Sequence, residues 1–439
     1  MRALLILTVV CTLGVCWIVT PLGAQVSPGD RVLHLADVYQ ALGSGNAQIE
    51  AARQMAIAAE ARVKPASTLS DPQIQFGLMN RNLPGFGLQD PLGMNQVQVM
   101  QMIPIAGQLG LTGRAAAARA SAARARASDV GWELRARVAM AFYEIYQLDR
   151  AIEVNAATRT LLRDIATTAR TMYSVGRGRQ ADVLRSSIEI DRMSEEVARM
   201  KAMREAAAAR LNALLDRPAD TDVPTPALPR FPETIPSADS LERLALAGRP
   251  MLLAGESEVA AAVAAEQRAR REIWPDLQLG AIYGQRPMAS GTDRMVSLML
   301  GFSVPIWAGR RQFEMRRETE AMRLGAEAEL RSMRADTRGR LGELAAAVRR
   351  SRALRALYNS SILPQAEATV SAALSAYQAG EVDLPMLLEA RMTAYRYRQQ
   401  LSQLDADEGT ALAEIEMLLG RALFDSAVSE PVKSQGAPR

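Results

Sequence analysis

The stretch VPIWAGRRQF at residues 304–313 is similar to the stretch IPIAGQLGL at residues 103–111. Two further pairs keep nearly the same offset: AYQAGEVDLPMLLEA (376–390) matches MYSVGRGRQADVLRS (172–186), and LLGR (418–421) matches LLDR (214–217). A long, nearly constant offset is the sequence signature of a repeated structural unit. The chain therefore consists of two copies of one unit rather than two unrelated domains.

Each unit contains two segments in which apolar residues alternate with small or polar ones. In the clearest of them, Val296, Leu298 and Leu300 alternate with Ser297 and Met299. Such alternation predicts a strand with lipid or protein on one face and water on the other. The predicted strands cover about 71–80 and 95–103 in the first unit and 275–284 and 295–304 in the second.

The remainder of each unit predicts very long helices. No proline occurs from Gln108 to Tyr173, which corresponds to roughly 100 Å of continuous helix. Apolar residues recur there at spacings of four and three, which is typical of coiled coils. The positions concerned are Leu134, Val138, Ala141, Ile145, Leu148 and Ile152. We predict long helices at about 108–173, 180–216, 310–378 and 384–421, with a kink at Pro364, and a further helix from about 35 to 67.

These elements divide the chain into two repeats joined by a linker. The first repeat covers 25–216 and the second 238–421, and the segment 217–237 between them is rich in proline and predicts an extended linker. Residues 422–439 predict a short flexible tail.

The N-terminal residues 1–24 resemble a secretory signal peptide, with Arg2 before a long apolar stretch and Ala24 before the cleavage site. A retained membrane anchor is the alternative, because the apolar stretch is nearly long enough to span a bilayer. Cleavage would remove both cysteines, Cys11 and Cys16, and with them any thiol chemistry. No later segment resembles a spanning helix, so we expect strands to form any membrane span of the mature chain.

Several functional classes are disfavoured by composition. The chain of 439 residues has one histidine, His34, which leaves few designs for general-base catalysis or zinc binding. The net charge of +4 is small, and arginine and glutamate are interspersed, as expected for solvated helix faces rather than a nucleic-acid surface. Acidic residues occur at helical spacings that suit ion pairs with arginine, which argues against a hydrolase. We expect no catalytic residues, no cofactor and no metal site.

Four amphipathic strands cannot close a barrel alone, since about eight are needed even for a filled one. Open strand edges are not tolerated in lipid. If the strands enter a membrane, several chains must therefore share one barrel, and the polar helices must project from it into water.

The duplicated order of helix, strand pair ending in P-I-x-G, long helix, Y-x-x-G turn and helix ending in LLGR resembles the TolC-like outer-membrane factors over about 35–421. DPQIQFGLMN (71–80) and AGEVDLPMLLEAR (379–391) are most similar to the cobalt-zinc-cadmium and copper-silver efflux branch. The resemblance implies a homotrimer in the outer membrane of a Gram-negative cell, with a shared β-barrel continued by an α-helical periplasmic tunnel. It implies a periplasmic adaptor (membrane fusion) protein and an inner-membrane pump of the RND type as partners.

The function implied is that of the outer-membrane channel in a tripartite efflux system, which passively conducts heavy-metal cations or small toxic compounds. Two alternatives stay open: a periplasmic coiled-coil adaptor or scaffold, and an outer-membrane channel for drug efflux or type I protein secretion. Methionine is abundant, and its thioether suits Cu(I) and Ag(I). At the sequence level, however, we favour the interpretation that methionine fills irregular apolar gaps.

The two glycine-bearing turns are the candidate docking sites for the adaptor. The predicted docking residues are Tyr173, Gly176, Arg177, Arg179, Asp182, Tyr377, Gly380, Glu381 and Asp383. Better-known members of the resembled family narrow their tunnel with an acidic pair shortly before the second tip glycine, where this chain has Ser371 and Leu374. Two alternatives stay open: the gate is built from other residues, for which Asp164 and Glu367 are the candidates, or the gate is looser.

Overall fold

The computed structural model describes residues 32–43, 45–79, 93–288 and 291–423. The predicted signal peptide, nearly all of the predicted loop between the first two strands and the tail beyond residue 423 lie outside these residues.

The described chain is mainly helical with one small sheet, as the sequence predicted. Its helices are α1 (Leu35–Gly43), α2 (Ala47–Ala61), α3 (Val63–Ser67), α4 (Gln108–Ser174), α5 (Gln180–Leu214), α6 (Ala238–Gly248), α7 (Pro250–Arg271), α8 (Gln312–Leu357), α9 (Leu363–Ala379) and α10 (Leu384–Leu419). Its strands are β1 (Gln73–Met79), β2 (Met94–Ile103), β3 (Leu277–Met288) and β4 (Gly291–Phe302).

The prediction of one continuous helix over residues 35–67 is wrong, because the segment forms the three helices α1, α2 and α3. The backbone of Gly45 has φ 136°, outside the helical region, and Asn46 then caps α2. The Oδ1 atom of Asn46 accepts a hydrogen bond from the backbone N–H of Gln48 at 2.8 Å. Its Nδ2 donates to the carbonyl of Leu214 at 2.8 Å, which ties this break to the end of α5.

The four strands form one antiparallel sheet in the order β1-β2-β3-β4. The β2–β3 pair joins the two repeats, with Val97 opposite Tyr283 and Val99 opposite Ala281. Each repeat therefore contributes one antiparallel pair of strands to a single sheet.

The long helix α4 is the centre of the helical part, since it packs against α5, α7 and α10, while α8 packs against α7 and α10. Buried apolar residues of both repeats line these contacts, among them Phe142 and Ile145 of α4 and Ile415 of α10. The proline-rich linker is held near the start of the described chain, where Leu33 bridges to Pro226. Among the helices of the described ranges, none is both long and apolar enough to cross a membrane.

The second long helix is interrupted immediately before Pro364. Residues Tyr358–Ile362 form a π-helical turn between α8 and α9. Proline has no N–H to donate to the carbonyl four residues earlier, and its ring crowds that carbonyl, so the regular α-helical ladder is disturbed here. In the first repeat α4 runs through the corresponding region without interruption.

Candidate functional site

One face of the sheet is a continuous exposed apolar surface. Directly opposed residues of an antiparallel pair lie on the same face, so the register places Phe76, Val97, Tyr283 and Val296 in one row across the four strands. Leu298 on β4 is 84% exposed and Phe76 on β1 is 82% exposed. Large apolar side chains gathered in this way on a surface indicate contact with lipid or another apolar partner.

The opposite face carries glutamine, glycine and serine together with several methionines, so it is the more polar of the two faces. The row adjacent to the previous one consists of Gln75, Gln98, Ile282 and Ser297. Glycine on this face lets a longer neighbour lie over the backbone; for example, a Cβ atom at Gly77 would lie only 2.9 Å from Cγ of Gln96, which occupies that position. The two faces of the sheet therefore differ in polarity.

Among the described residues, β1 and β4 are the two outer strands of the sheet and have no neighbour on their outer sides, and β4 extends over 12 residues. An edge strand presents unpaired backbone N–H and C=O groups. A long edge beside an apolar face is suited to pairing with a strand of another chain.

The first hairpin tip joins α4 to α5 through a left-handed turn. Gly176 has φ 73°, and the backbone N–H of Arg177 donates to the carbonyl of Met172 at 2.8 Å. Arg179 directly precedes α5, and the backbone N–H of Asp182 donates to its carbonyl at 3.0 Å. Tyr173 is 49% exposed, so this tip offers both a phenol ring and basic side chains to a partner.

The second hairpin tip joins α9 to α10 with the same backbone geometry. Gly380 has φ 82°, and the backbone N–H of Glu381 donates to the carbonyl of Ala376 at 2.9 Å. Asp383 caps α10 by accepting a hydrogen bond from the backbone N–H of Met386 at 3.3 Å. Tyr377, in contrast, is only 4% exposed and cannot present its ring to a partner, unlike its counterpart Tyr173.

The two tips pack against each other. Tyr377 belongs to an apolar cluster with Leu162 and Ala169 of α4 and Leu384 of α10. Burial raises the pKa of the Tyr377 phenol, and the negative charge of Asp182 on α5 raises it further. The predicted residues of both turns thus form one end of the molecule.

The two candidate gate residues lie in different settings. Glu367 on α9 pairs with Arg398 on α10 at 2.6 Å, which links the two helices of the second hairpin. Arg391 precedes Arg398 by two helical turns on α10 and is buried. Its Nη2 atom has no hydrogen-bond partner in the described part of the chain. Burial lowers the pKa of Arg391, as does the charge of Arg398, while Glu367 opposes them. Asp164 is exposed on α4.

The sequence did not single out Arg391 or Arg398. The i, i+7 spacing of two arginines on a coiled-coil helix, facing one glutamate, is the signal that could have found them. A groove between α9 and α10, lined by residues that include Gln365, Thr369, Met386, Thr393 and Tyr397, was also missed.

The buried carboxylates belong to the framework rather than to a reaction centre. Glu408 of α10 is fully buried and pairs with Arg352 and Arg355 of α8, each at 2.7 Å. Glu266 of α7 pairs with Arg323 of α8 at 2.7 Å. Within the described ranges, His, Cys, Asp and Glu form no group that could hold a metal ion. These pairs satisfy buried charges across helix contacts.

Comparison with known proteins gives one family and a set of related folds. Residues 241–421, which lie within the predicted second repeat (238–421), match the family Outer membrane efflux protein. The comparison with curated protein sequences gives no match.

Solved structures match over both repeats. The outer-membrane channel OprN is 17% identical with a TM-score of 0.74, covering 88% of this chain and 90% of that chain. CusC, whose structures concern transmembrane channel formation, is 14% identical with a TM-score of 0.75, covering 91% and 96%. The outer membrane protein VceC from the bacterial pathogen Vibrio cholerae is 14% identical with a TM-score of 0.74, covering 88% and 96%. The chain therefore has the fold of these outer-membrane channel proteins along nearly its whole length.

Proposed function

We propose that the chain is the outer-membrane channel component of a tripartite efflux system. The observation that carries this proposal is the two-faced sheet at one end of long helical hairpins. Its exposed apolar face suits lipid, and its opposite face, which combines glutamine, glycine and serine with methionine, is the more polar one and suits water. The family match over residues 241–421 and the shared channel fold support the same function.

The open sheet edges favour assembly of three chains into one barrel. Alone, β1 and β4 would leave backbone groups unpaired in lipid, where each costs several kcal/mol, about 2–7 by transfer measurements. Pairing β4 of one chain with β1 of the next removes every edge. In a homotrimer the helices would continue the barrel as a tunnel in the periplasm.

The tunnel end opposite the barrel would dock with a periplasmic adaptor protein. The residues proposed for this contact are those of the two tips, with Tyr377 supporting the tip from inside rather than touching the partner. Through the adaptor the channel would receive cargo from an inner-membrane pump, of the RND type in our proposal. Heavy-metal cations or small toxic compounds are the proposed cargo, and conduction would be passive.

Two alternatives make different predictions. A periplasmic coiled-coil adaptor or scaffold would not need an exposed apolar sheet face with residues such as Leu298 and Phe76. A channel for drug efflux or type I protein secretion would share the fold and differ in cargo and pump. An enzyme is disfavoured, because the buried acidic side chains described above are held in ion pairs between helices.

Membrane fractionation with heat-modified gel mobility tests the proposal. We expect the mature chain in the outer-membrane fraction as a trimer that resists detergent until it is boiled. Recovery in the soluble periplasm, with no change of mobility on heating, would support the adaptor or scaffold instead. A deletion strain exposed to copper, zinc, cadmium and a drug panel would identify the cargo.

A further inference from the structure

The pairing of β2 with β3 joins one repeat to the other inside the chain, so it serves as a template for the pairing of two copies. Neighbouring strands are antiparallel throughout the sheet, and β4 of one copy therefore meets β1 of the next antiparallel, as β2 meets β3. Equivalent elements of a repeated unit share their geometry. We therefore expect the register of β2 and β3 at the junction between copies.

The repeated Pro-Ile dipeptides at 104–105 and 305–306 align β2 with β4. Counting back four residues from each proline makes Met100 of β2 equivalent to Gly301 of β4. Every residue of β2 thus has a defined counterpart on β4.

The strand pairs carry this alignment to β1 and β3. Met100 pairs with Gln73 on β1, and Gly301 pairs with Gln278 on β3. Gln73 and Gln278 are therefore equivalent. The sequence agrees with this geometry, because both glutamines belong to the pattern Asp-x-Gln.

The two alignments convert the register inside the chain into a register between copies. Val97 on β2 pairs with Tyr283 on β3, and their counterparts are Leu298 on β4 and Leu78 on β1. The neighbouring positions follow in the same way, and each resulting pair joins two residues of the apolar face. The pairs are Leu298 with Leu78, Leu300 with Phe76, and Phe302 with Ile74 of the next copy.

This register keeps the apolar face continuous across the junction. The least exposed of these six side chains, that of Phe302, is still 57% exposed in the single chain. A slip by one residue would set Leu298 opposite Gly77 or Met79, which belong to the other face. The inferred pairs instead place apolar side chains beside apolar side chains.

The same template gives a polar contact where the sheet meets the helices. Inside the chain, Nε2 of Gln108 in the first turn of α4 donates to Oδ1 of Asp276, which precedes β3, at 3.3 Å. The counterpart of Asp276 is Asp71, which precedes β1. The counterpart of Gln108, counted from the shared Ala-Gly, is Arg310 before α8.

Arg310 and Asp71 carry opposite charges and are both exposed. Neither belongs to an ion pair within the part of the chain that the structure describes. At the junction between copies, a cation and an anion thus take the places of the neutral amide and the carboxylate of the internal contact.

We infer that two copies dock through β4 and β1 in the register of β2 and β3, with Leu298 opposite Leu78 of the next copy and Arg310 beside Asp71 of the next copy. The inference rests on the proposed function for the assembly of a shared barrel, and it adds which residues meet. A head-to-tail contact of this kind closes into a ring.

Disulfide trapping in the full-length protein tests the register. The test variant carries Leu298→Cys and Leu78→Cys. Opposed residues have Cα atoms about 4.5–5.5 Å apart, within the range of about 4.4–6.8 Å that a disulfide bridges. Within one chain β1 and β4 are three strand spacings apart, about 14 Å, so a bond can form only between copies.

The matched control carries Leu298→Cys and Ile74→Cys. Ile74 lies on the same strand and face as Leu78 but four residues away, which corresponds to about 13 Å and is too far for a disulfide. The natural protein, with Cys11 and Cys16, gives the background.

Oxidised outer-membrane fractions are boiled without reductant and separated on a gel. We expect covalent dimers and trimers in the test variant at a level at least about tenfold above the control, because the control distance excludes the bond. Equal linking in the two variants would overturn the register. Stronger linking of Leu298→Cys with Phe76→Cys would also overturn it, since that result indicates a two-residue slip.

A charge exchange tests the contact at the helix junction. Asp71→Arg should lower the temperature at which the trimer dissociates in detergent, because it sets two cations against each other. Adding Arg310→Asp should restore that temperature, whereas Arg310→Asp alone should lower it. A double variant no more stable than the single variants would overturn the contact between Arg310 and Asp71.

Heat-modified mobility and planar-bilayer conductance separate this inference from the proposed function. A conducting outer-membrane trimer that does not link through Leu298 and Leu78 would refute the register and leave the channel. A chain that links through these positions but conducts no ions would refute the channel and leave the register.

Discussion

Gly409 on α10 lies so close to the ring of Tyr143 on α4 that a Cβ atom at position 409 would overlap the ring carbons. Both residues are buried, and the Tyr143 ring also packs edge-on against Phe142 at 5.4 Å between ring centroids. The contact joins the long helix of the first repeat to the last helix of the second. The cohesion of the two repeats therefore depends on a position that has no side chain.

Replacing Gly409 by alanine should destabilise the protein by about 1–3 kcal/mol, because the ring of Tyr143 must move within a packed interior. Gly342→Ala is the matched control, since Gly342 is exposed on α8 with open space around it. That control should be neutral or stabilising by up to about 1 kcal/mol. Thermal unfolding followed by circular dichroism measures both, and equal melting temperatures for the two variants would contradict the contact.

Efflux should require glycine, or a residue that tolerates a left-handed backbone, at positions 176 and 380. A valine at such a position costs about 1–2 kcal/mol and would reshape the proposed docking surface. We expect the double variant Gly176→Val, Gly380→Val to lose resistance to the proposed cargo in cells that keep normal trimer levels. Asparagine tolerates this backbone conformation, so Gly176→Asn with Gly380→Asn should retain resistance. Resistance that survives the valine changes would rule out docking at the tips.

Glu367→Gln should loosen the second hairpin. The change removes the carboxylate that accepts hydrogen bonds from Arg398 and leaves the like charges of Arg391 and Arg398 uncompensated. The pair is partly exposed, so the loss of stability should be only about 0–1 kcal/mol. We expect higher single-channel conductance and greater entry of large antibiotics than in the natural protein.

The control for the hairpin is Glu343→Gln, which removes a pair with Arg340 at 3.1 Å within the single helix α8. A gate role for Glu367 is wrong if the two variants have the same conductance.

Alkaline pH should weaken the fold through Tyr146. Burial raises the pKa of Tyr146 to about 12, and the charge of Asp405 adds to the effect while Arg150 opposes it. The ordinary pKa of tyrosine is about 10, so between pH 10 and 12 the unfolded chain loses a proton that the folded chain keeps. Stability should therefore fall as pH rises above 10, by up to about 2–3 kcal/mol from this group.

Melting temperatures measured from pH 9 to 11.5 test this dependence. Tyr146→Phe should flatten the decline, whereas Tyr173→Phe at the exposed first tip should not. An unchanged slope in Tyr146→Phe would show that other groups dominate alkaline unfolding.

The periodic patterns of the sequence predicted the helices and strands, because each pattern depends only on residues close together in the chain. The 67-residue helix α4 contains the predicted heptad seam from Leu134 to Ile152, and the alternation in β4 separates Leu298 from Ser297. Properties that depend on packing between distant segments could not be predicted from the sequence. Tyr173 and Tyr377 occupy equivalent places in the two repeats, yet only Tyr377 is enclosed, because α4 and α10 pack around it.

The alternation in β2 was also too weak to assign its methionines to a face. Only the register with β1 and β3 shows that Met100 shares a face with Gln75 and Gly280. Likewise, the break between α1 and α2 depends on a hydrogen bond from Asn46 to the distant carbonyl of Leu214.

The most direct test of the central claim compares arginine at two adjacent positions on opposite faces of β4, by outer-membrane insertion and planar-bilayer conductance. Leu298→Arg should prevent insertion, because an arginine facing lipid costs about 2–4 kcal/mol in each chain. Ser297→Arg should insert as a heat-modifiable trimer and shift the channel toward anion selectivity. Insertion and unchanged conductance of Leu298→Arg, or loss of insertion in Ser297→Arg, would contradict the account.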